Sequence, residues 1–274
     1  MSEAVLVTGC SSGIGRATAL ALVRAGLPTW ASARRIETLG ELEAAGCRTV
    51  QLDVTDEKSR IRAVRAVEAE HGAVGALVNN AGYAQMGPVE EVSLDSLRRQ
   101  FETNVFGLVH LCQLVLPGMR VQQHGTIVNI GSSAGLIASP LSGAYCMTKY
   151  ALEALSDSLR LEVARFGVRV VLVEPGPIRS EFAATGMRTM PETDGPYDTY
   201  KANLAAYMDR TTHTGTQGIP KARTVAAVVA QAITGRRPKS RYPIGYQTRL
   251  MPRLRHIVGD RVWDAATTRA IPPQ

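Results

Sequence analysis

A tyrosine and a lysine stand four residues apart at Tyr145 and Lys149, a spacing that places both side chains on one face of a helix. A free phenol titrates near about 10, so it exchanges protons poorly at neutral pH unless a nearby positive charge favours the phenolate. Lys149 is placed to supply that charge. The pair therefore predicts a group that donates or accepts a proton, although the same spacing also occurs on ordinary solvated helix faces.

A glycine-rich turn lies near the start of the chain, between an apolar run at Val5–Val7 and a helical pattern at Gly13–Ala25. Glycines in such a turn allow tight bending and close backbone approach to phosphate, and a helix N-terminus favours an anion. This context favours a dinucleotide site over a plain strand-to-helix turn. The candidate ligands are Gly9, Ser11, Ser12, Gly13, Ile14 and Gly15.

The elements that must position these groups alternate along the chain as short apolar runs and helical segments. Such alternation is typical of a parallel sheet with helices on both faces. The predicted strands are Val5–Val7, Thr29–Ala33, Thr49–Leu52, Ala76–Asn79, Thr126–Ile130 and Arg169–Glu174. The predicted helices are Gly13–Ala25, Ile36–Ala45, Asp56–His71, Leu94–Arg120 and Gly143–Phe166. A chain of 274 residues without a linker-like tract predicts one α/β domain over residues 1–274.

The residues after the second predicted strand bear on which dinucleotide would bind. An acidic residue there would accept hydrogen bonds from the ribose 2′-hydroxyl of NAD, whereas an arginine accommodates the 2′-phosphate of NADP. The chain has Ala33 followed by Arg34 and Arg35, and a guanidinium is well shaped for phosphate. We therefore predict NADP(H) over NAD(H), with Arg34 as the main ligand and Ser12 and Arg35 beside it. A solvated loop is the alternative.

Six motifs stand in the order and spacing of the short-chain dehydrogenase/reductase family, which the chain resembles from about residue 4 to about residue 182. They are T-G-x-x-x-G-I-G at residues 8–15, Asn79–Gly82, Asn104, Ser132, Tyr145 with Lys149, and Pro175–Gly176. The glycine-rich turn and the Ala-Arg pair resemble the hydroxysteroid and retinol dehydrogenases most. The resemblance implies a doubly wound Rossmann sheet with strand order 3-2-1-4-5-6-7 and an oxidoreductase that transfers hydride.

The resemblance also implies roles for residues that could otherwise belong to turns or packing. Ser132 and Tyr145 would bind the substrate carbonyl, and Lys149 would also hold the nicotinamide ribose. Ser132 is selected over Ser133 by the family's spacing to Tyr145. Asn104 would hold a helix distortion and a water, with a helix–helix hydrogen bond as its alternative. The other implied cofactor contacts are Asp53, Val54, Asn80, Ala81, Gly82, Tyr145, Lys149, Pro175, Gly176, Ile178 and Ser180, the last in a place where the family usually has threonine.

A segment from about Ala183 to Pro220 loses the period of a core element and carries methionines and tyrosines among polar residues. The family uses this region as a substrate lid, and Met with Tyr suits an adaptable apolar pocket. We expect a hydrophobic steroid-, retinoid- or lipid-like carbonyl or alcohol, unless these side chains only pack the lid onto its own domain. A β-ketoacyl carrier-protein reductase and a non-catalytic NADP(H) sensor are the alternatives, although a sensor would not need the Ser–Tyr–Lys set.

The basic C-terminal segment, residues 236–274, holds nine arginines and lysines against two aspartates and so carries the whole net charge of +7. Basic segments can bind anionic membrane surfaces, nucleic acid or acidic partners. Here the arginines alternate with Tyr242, Ile244, Tyr246, Leu250, Leu254, Ile257, Val258 and Trp263. That mixture favours a packed segment with a solvated basic face over contact with a membrane surface, and we expect no nucleic acid partner.

Other features of the sequence bear on location and assembly. The four cysteines are widely spaced and the histidines scattered, which indicates neither disulfides nor a metal site. No leader with a basic start and a long apolar core precedes the first strand, and this predicts a cytoplasmic protein. The apolar segment from Val105 to Met119 is interrupted by polar residues and a proline, so no membrane span is expected there.

Family members associate through helices that match residues 94–120 and 143–167, which implies a homodimer or homotetramer.

Overall fold

The computed structural model describes residues 2–179, 181–209 and 220–273. Its centre is one parallel sheet with strand order β3-β2-β1-β4-β5-β6-β7, which confirms the predicted order. The strands are Val5–Val7 (β1), Thr29–Ala33 (β2), Arg48–Gln51 (β3), Ala76–Asn79 (β4), Gly125–Ile130 (β5), Val168–Pro175 (β6) and Arg241–Ile244 (β7). Because β1 pairs with both β2 and β4, the strand order reverses at this point and opens a cleft at the carboxyl ends of the strands.

Helices cover both faces of the sheet. They are Gly13–Arg24 (α1), Gly40–Ala44 (α2), Glu57–His71 (α3), Leu94–Phe101 (α4), Gly107–Gln122 (α5), Gly143–Val163 (α6), Phe182–Met187 (α7), Asp198–Asp209 (α8), Ala222–Thr234 (α9) and Tyr246–Ala270 (α10). Val5 and Val7 pack with α1, α2 and α9, whereas Leu6 packs with α3, α5 and α6. Successive residues of a strand point to opposite faces, so strands buried on both sides read as continuous apolar runs.

The long helix that the sequence predicts over residues 94–120 is divided in the structure. A π-helical turn, Glu102–Phe106, separates α4 from α5. Two contacts account for the division. The side chain of Asn104 bonds outside its own helix, and Gly107 lies so close to the Val54 carbonyl oxygen that an added Cβ would stand 2.2 Å from it. Both contacts involve residues at the π-helical turn, and such turns are frequent at functional sites.

Three other segments differ from the sequence-based predictions. The predicted helix Ile36–Ala45 is a 3₁₀ turn, Ile36–Leu39, followed by the short α2, because Gly40 is a weak helix former. The predicted helix Gly143–Phe166 ends at Val163 and continues as a 3₁₀ turn. The lid region contains α7 and α8, although its sequence lacks the period of a core element. Residues 210–219 of the predicted lid lie outside the described residues.

The basic C-terminal segment forms β7 and α10, and it is less fully packed than the sequence predicts. Ile244 is buried, and Tyr242, Val258 and Trp263 are partly covered. In contrast, Leu250, Leu254 and Ile257 are exposed, with 53%, 39% and 81% of their surface accessible to solvent. Tyr246 is exposed as well, so the expectation of a packed apolar side is wrong for these four residues.

A helical segment, Leu94–Gln122, has the length and hydropathy of a membrane span among the described residues, with a mean hydropathy of 1.2 over its most apolar window. Several of its apolar side chains, including Leu108, Leu111 and Val115, instead belong to the core beside the sheet. A core helix passes the same test of length and composition as a membrane span. This helical segment is therefore part of the core that packs against the sheet.

A cluster around Arg241 ties α6 to the last two strands. Its guanidinium donates to Glu174 at 3.0 Å, to Asp157 at 2.7 Å, and also to Glu153. Glu174 is the residue before the last of β6 and is buried, while Glu153 lies one helical turn beyond Lys149 on α6. Burial, together with the neighbouring Glu153 carboxylate, raises the pKa of Glu174 to about 7, and Arg241 opposes the rise.

Replacing Glu174 with glutamine should flatten the pH dependence of folding. The pKa of Glu174 rises from 4.5 to about 7 on folding, so the folded chain binds more protons between these two values. The stability from this group is complete below about pH 4.5 and is lost as the pH rises through about 7. Between about pH 5 and about pH 8 the parent protein should lose up to about 3 kcal/mol more unfolding free energy than the Glu174→Gln variant.

Urea unfolding of the two proteins across this pH range measures the difference. Glutamine retains an acceptor for Arg241 and has no titrating proton, so it isolates the carboxyl group. Parallel pH profiles for the two proteins would contradict the raised pKa.

Candidate active site

Two loops at the carboxyl end of the sheet are joined by Thr8, the last residue before the glycine-rich turn. The Thr8 hydroxyl accepts hydrogen bonds from the backbone amides of Asn80 and Ala81, both at 2.9 Å. In return the Asn80 side-chain amide donates to the carbonyl oxygens of Thr8 and Gly9, at 2.8 and 3.1 Å. Sequence reasoning quoted Thr8 within the family motif but gave it no role, and the structure shows that it joins the two motifs.

Close packing explains two of the glycines in this turn. A Cβ on Gly15 would stand 2.3 Å from the Gly9 carbonyl oxygen and 2.4 Å from the Asn80 amide nitrogen. Gly9 has a φ of +72° and meets the backbone of Ala81. The first turn of α1 can therefore approach the loop after β4 only without side chains at these positions.

The N-terminus of α1 has the chemistry of a phosphate-binding site. The helix begins after Ser12, whose hydroxyl makes no capping hydrogen bond, and Ser11 and Ser12 are both exposed. Gly13 has a φ of +55° and open space where its side chain would be. The first backbone amides of a helix have no partner within the helix and attract anions, so the turn that includes Ile14 suits a pyrophosphate.

Arg34 and Arg35 follow β2 at the same edge of the sheet, with exposed side chains. Within the described part of the chain, neither guanidinium forms a hydrogen bond or an ion pair. Ala33, which ends the strand, is buried, so no acidic group occupies that place. The pair leaves cationic donors available for a phosphate beside α1.

Asp53 and Val54 lie after β3, at the neighbouring strand end. One oxygen of Asp53, Oδ1, accepts from the Thr55 amide at 2.9 Å and from the Thr55 hydroxyl at 2.8 Å. Asp53 therefore forms a local turn, the alternative that its sequence context allows, and contact of its second oxygen with a cofactor stays a prediction. Val54 is buried, and its carbonyl oxygen accepts from Arg60.

At the other end of the cleft, Pro175 ends β6 and Gly176 follows it. The Gly176 amide donates to the Ile244 carbonyl at 2.9 Å, and its Cα lies close to Thr248 of α10. Ile178 is partly buried two residues further on. Ser180, predicted as a contact of the nicotinamide end, lies outside the described residues.

Ser132 and Tyr145 are brought together from β5 and α6. Ser132 caps the 3₁₀ turn Ser133–Gly135 by accepting from the Ala134 amide at 3.1 Å, and its hydroxyl lies near enough to the Tyr145 phenol to influence the pKa of that group. Ser133 lies within the turn, so the structure selects Ser132 as the serine beside the phenol. Burial raises the pKa of Tyr145 strongly, and the Ser132 hydroxyl opposes the rise.

The direction of this shift is opposite to the one expected from the charge of Lys149. Burial dominates because the phenolate would lose hydration, and the Lys149 nitrogen lies 5.7 Å from the centre of the Tyr145 ring. The phenol is consequently protonated at neutral pH. It is thus in the form that donates a proton to a carbonyl oxygen.

Lys149 is held in place by the sheet. It is buried, and its ammonium group donates to the Ile130 carbonyl oxygen at the end of β5, at 2.7 Å. Burial lowers the pKa of Lys149 to about 8, and the Glu153 carboxylate opposes that change. The side chain is still mostly charged at neutral pH.

Asn104 connects the π-helical turn to two other parts of the site. Its amide nitrogen donates to the Tyr83 carbonyl at 2.9 Å and to the Thr148 hydroxyl at 3.1 Å, and its oxygen accepts from the Tyr83 amide at 3.1 Å. Thr148 in turn donates to the Tyr145 carbonyl on α6. Both the helix distortion and the helix–helix hydrogen bond expected at this residue are present. A Cβ on Gly82 would stand 3.0 Å from the Asn104 oxygen, which explains that glycine.

Phe182 is a site residue that sequence reasoning missed. Its ring lies 5.7 Å from the Tyr145 ring, centre to centre, at an angle of 55°. It begins α7, one residue before the predicted start of the lid. Nothing in the local sequence marks it, because its partner is distant along the chain.

The lid methionines and tyrosines pack with one another and with the domain. Leu141, Leu204 and Ile271 are buried at the centre of a small apolar cluster, which also contains Met86, Met187, Met190, Tyr200, Tyr207 and Met208. Thr189 anchors α7 by donating to the Ala84 carbonyl and accepting from the Met86 amide, at 3.0 and 2.8 Å. Packing of the lid onto its own domain, one of the two expected roles, is therefore observed.

No group of three or more His, Cys, Asp and Glu side chains is arranged to hold a metal ion in the described ranges. The polar groups at the cleft are instead a phenol, hydroxyls, an ammonium group and backbone amides. These are groups that bind a dinucleotide and stabilise charge on a carbonyl oxygen.

The parallel sheet, the glycine-rich turn and the Ser–Tyr–Lys set define a class of dinucleotide-dependent oxidoreductase. The chain belongs to the short-chain dehydrogenase/reductase family, whose short chain dehydrogenase model matches residues 3–190. It is similar to the Uncharacterized oxidoreductase YbbO of Escherichia coli strain K12, with 36% identity over 265 residues covering 96% of this chain and 93% of that protein.

Two further relatives carry more specific names. The NADPH-dependent 3-dehydrocapnine reductase of Ornithobacterium rhinotracheale is 34% identical over 271 residues, covering 94% of each chain. Human Retinol dehydrogenase 8 is 37% identical over 205 residues, covering 69% of this chain and 65% of that protein. The retinol dehydrogenase match is partial, so it supports the expected branch only weakly.

Solved structures agree on the fold and differ in cofactor. A short-chain dehydrogenase from Streptomyces avermitilis has a TM-score of 0.81, with 34% identity and 98% of each chain covered. A serine dehydrogenase complexed with NADP+ has 29% identity and a TM-score of 0.76, covering 88% of this chain and 94% of that one. A short chain dehydrogenase/reductase from Burkholderia phymatum in complex with NAD has 26% identity and a TM-score of 0.80, covering 93% of each chain. The protein is an NAD(P)-dependent oxidoreductase that acts on an alcohol or carbonyl.

Replacing Tyr145 with phenylalanine should abolish turnover while cofactor binding is retained. The change removes one hydroxyl and keeps the ring against Phe182, so the loss reports proton transfer, worth about 10²- to 10⁴-fold in kcat. Steady-state kinetics together with a fluorescence titration of NADPH measures both quantities. Substantial residual turnover would refute the assignment of Tyr145 as proton donor.

Proposed function

We propose that this protein is an NADP(H)-dependent oxidoreductase that interconverts a carbonyl and a secondary alcohol on a hydrophobic substrate. The observation that carries the cofactor choice is the exposed arginine pair, Arg34 and Arg35, after a strand that ends in Ala33. The place where an acidic ligand would accept from a ribose 2′-hydroxyl holds Ala33, and the two guanidinium groups that follow it have the chemistry to bind a 2′-phosphate. The relative from Ornithobacterium rhinotracheale is named as NADPH-dependent, which supports the same choice.

The residues present fit a dinucleotide along the whole cleft. The turn at residues 9–15 would hold the pyrophosphate, and Arg34 and Ser12 would hold the 2′-phosphate. The loop at Asn80–Gly82 would contact the central part of the cofactor, including a ribose. Lys149 would hold the nicotinamide ribose, and the loop after Pro175 would contact the nicotinamide end. When bound, the cofactor supplies or accepts the hydride at the substrate carbon.

The chain's own residues handle the proton and the charge on oxygen. In reduction, the Tyr145 phenol donates its proton to the carbonyl oxygen, and the Ser132 hydroxyl donates a second hydrogen bond to the same atom. Lys149 places a positive charge beside the phenol, which stabilises the phenolate left behind. Asn104 acts through Thr148 as a positioning residue, because it fixes the turn of α6 that carries Tyr145.

A hydrophobic substrate is supported by the surroundings of the phenol. Phe182 covers one side of the Tyr145 ring, and the lid methionines and tyrosines form an apolar cluster with Leu141, four residues before Tyr145. Such side chains favour apolar ligands of adaptable shape. Retinol, named in one relative, is a hydrophobic alcohol, in agreement with this chemistry.

A homo-oligomer is proposed from the outer surface of α5, α6 and the π-helical turn. Phe106, Tyr150 and Leu161 are exposed there, with 56%, 41% and 71% of their surface accessible. Large apolar side chains on neighbouring helices are the pattern of a contact between copies of a chain.

Replacing Arg34 with alanine should remove the preference for NADPH. A charge-assisted hydrogen bond to phosphate contributes about 1.5–3 kcal/mol, so NADPH affinity should fall about tenfold to a hundredfold while NADH affinity changes little. Titration of both cofactors against the parent protein and the variant measures this. Arg62→Ala, an exposed arginine on α3, serves as the matched control. Equal affinity of the parent protein for NADH and NADPH would contradict the proposal.

A panel of carbonyl compounds should show higher kcat/KM for bulky apolar ketones than for sugars, by at least about tenfold, because burial of each CH₂ group contributes about 0.8 kcal/mol. Phe182→Ala should reduce that preference, since it removes the apolar cover of Tyr145. Phe182→Leu keeps an apolar side chain and is the control. Turnover of sugars alone would exclude a hydrophobic substrate.

A further inference from the structure

The first half of α10 concentrates positive charge at the surface. Arg249, Arg253 and Arg255 lie between Tyr246 and the break at Gly259, where the backbone leaves the helical conformation, and no acidic residue occurs in this stretch. Arg249 and Arg253 are exposed. Outside the basic C-terminal segment the chain is neutral, so this half-helix is a local source of positive potential.

The same surface also exposes large aliphatic side chains. Leu250, Leu254 and Ile257 follow the spacing i, i+4, i+7 and therefore form one stripe along the helix. Arg253 lies within the stripe, three residues after Leu250, and Arg249 borders it. We call these five residues the α10 stripe. Ile257 is 81% exposed, an unusual degree for isoleucine.

The α10 stripe belongs to a helix that borders the substrate side of the molecule. A groove runs between α10 and the segment that connects Ser132 to Tyr145, and it is lined by Leu136 on one side and by Pro252 and His256 on the other. Further along, Trp263 of α10 faces Tyr200 of α8 across a second groove. The helix thus lies beside both the loop and the lid that flank the catalytic side chains.

We propose that the α10 stripe docks on an anionic lipid surface. Arginines attract the phosphate groups of acidic lipids, while leucine and isoleucine gain free energy by entering the boundary between headgroups and acyl chains. Nucleic acid would satisfy the arginines but would leave the aliphatic side chains in water. Two copies facing each other through this stripe would bring arginines of like charge together. A lipid surface satisfies both components at once.

The inference goes beyond the proposed reaction and does not depend on it. If the substrate is hydrophobic, docking of the α10 stripe would bring the loop and the lid close to the lipid in which such a substrate dissolves. The enzyme would then take its substrate at the lipid surface rather than from bulk water.

Co-sedimentation of the purified full chain with lipid vesicles tests the proposal. We expect binding to vesicles of phosphatidylcholine mixed with phosphatidylglycerol and little binding to phosphatidylcholine alone, with a decrease at high salt because screening weakens exposed charges. The double variant Arg249→Glu, Arg253→Glu should bind at least about tenfold more weakly. Arg62→Glu, Arg65→Glu makes the same charge change on α3 and should bind like the parent protein.

The apolar component needs its own variants. Leu250→Ala, Ile257→Ala should weaken vesicle binding at unchanged net charge, whereas Leu94→Ala, Val121→Ala, which truncates residues that are 66% and 84% exposed elsewhere, should not. Turnover of a water-soluble carbonyl without vesicles should be the same in all these variants, so a failure here is distinct from a failure of the proposed reaction.

Three results would overturn the proposal: equal binding to neutral and anionic vesicles, no binding to any vesicle, and vesicle binding by the α10 variants that equals that of the parent protein. A change of oligomeric mass in those variants without vesicle binding would assign the stripe to a contact between copies, and binding only to an acidic protein would assign it to such a partner.

Discussion

The side chain of Asn104 is the contact on which the catalytic geometry depends. It satisfies both backbone groups of Tyr83 after β4 and the hydroxyl of Thr148 on α6, while its own backbone lies in a π-helical turn. The side chain is buried, so an unpaired group here would cost about 1–3 kcal/mol. The irregular turn is therefore retained because it completes these hydrogen bonds. They set the distance between α6 and the loop after β4.

The catalytic groups take their properties from the sheet rather than from one another. Lys149 is fixed by a carbonyl oxygen at the end of β5, and Ser132 by the turn that follows β5. Burial is the largest cause of the pKa shifts of the titrating groups here, raising the pKa of Tyr145 on α6 and of Glu174 on β6 and lowering that of Lys149 on α6. A parallel sheet gathers such residues along one edge, where the helices provide the low-polarity surroundings.

The sequence predicts the sheet well because its central strands, β1, β4, β5 and β6, are largely apolar runs buried on both faces. It predicts those site residues whose role follows from one local motif. It fails where a role needs a distant partner. The π-helical turn depends on Tyr83 and Thr148, the aromatic contact of Phe182 depends on Tyr145, and neither pairing has a local pattern. The direction of the Tyr145 shift depends on burial, which spacing does not reveal. Exposure of Leu250 and Ile257 likewise follows from how α10 packs.

The close packing of α1 on the loop after β4 divides the residues of the cleft into two groups. We call Gly9 and Gly15, which are closely packed, the floor, and Ser12, Arg34 and Arg35, which are exposed, the rim. At Gly9 and Gly15 even one methyl group would meet backbone or the Asn80 amide, so this floor tolerates almost no change in side-chain volume. Arg34, Arg35 and Ser12 stand on the rim with exposed side chains. Substitutions on the rim can therefore change which ligand binds while the free energy of unfolding changes little. The ligand preference of this cleft can thus change without loss of the fold.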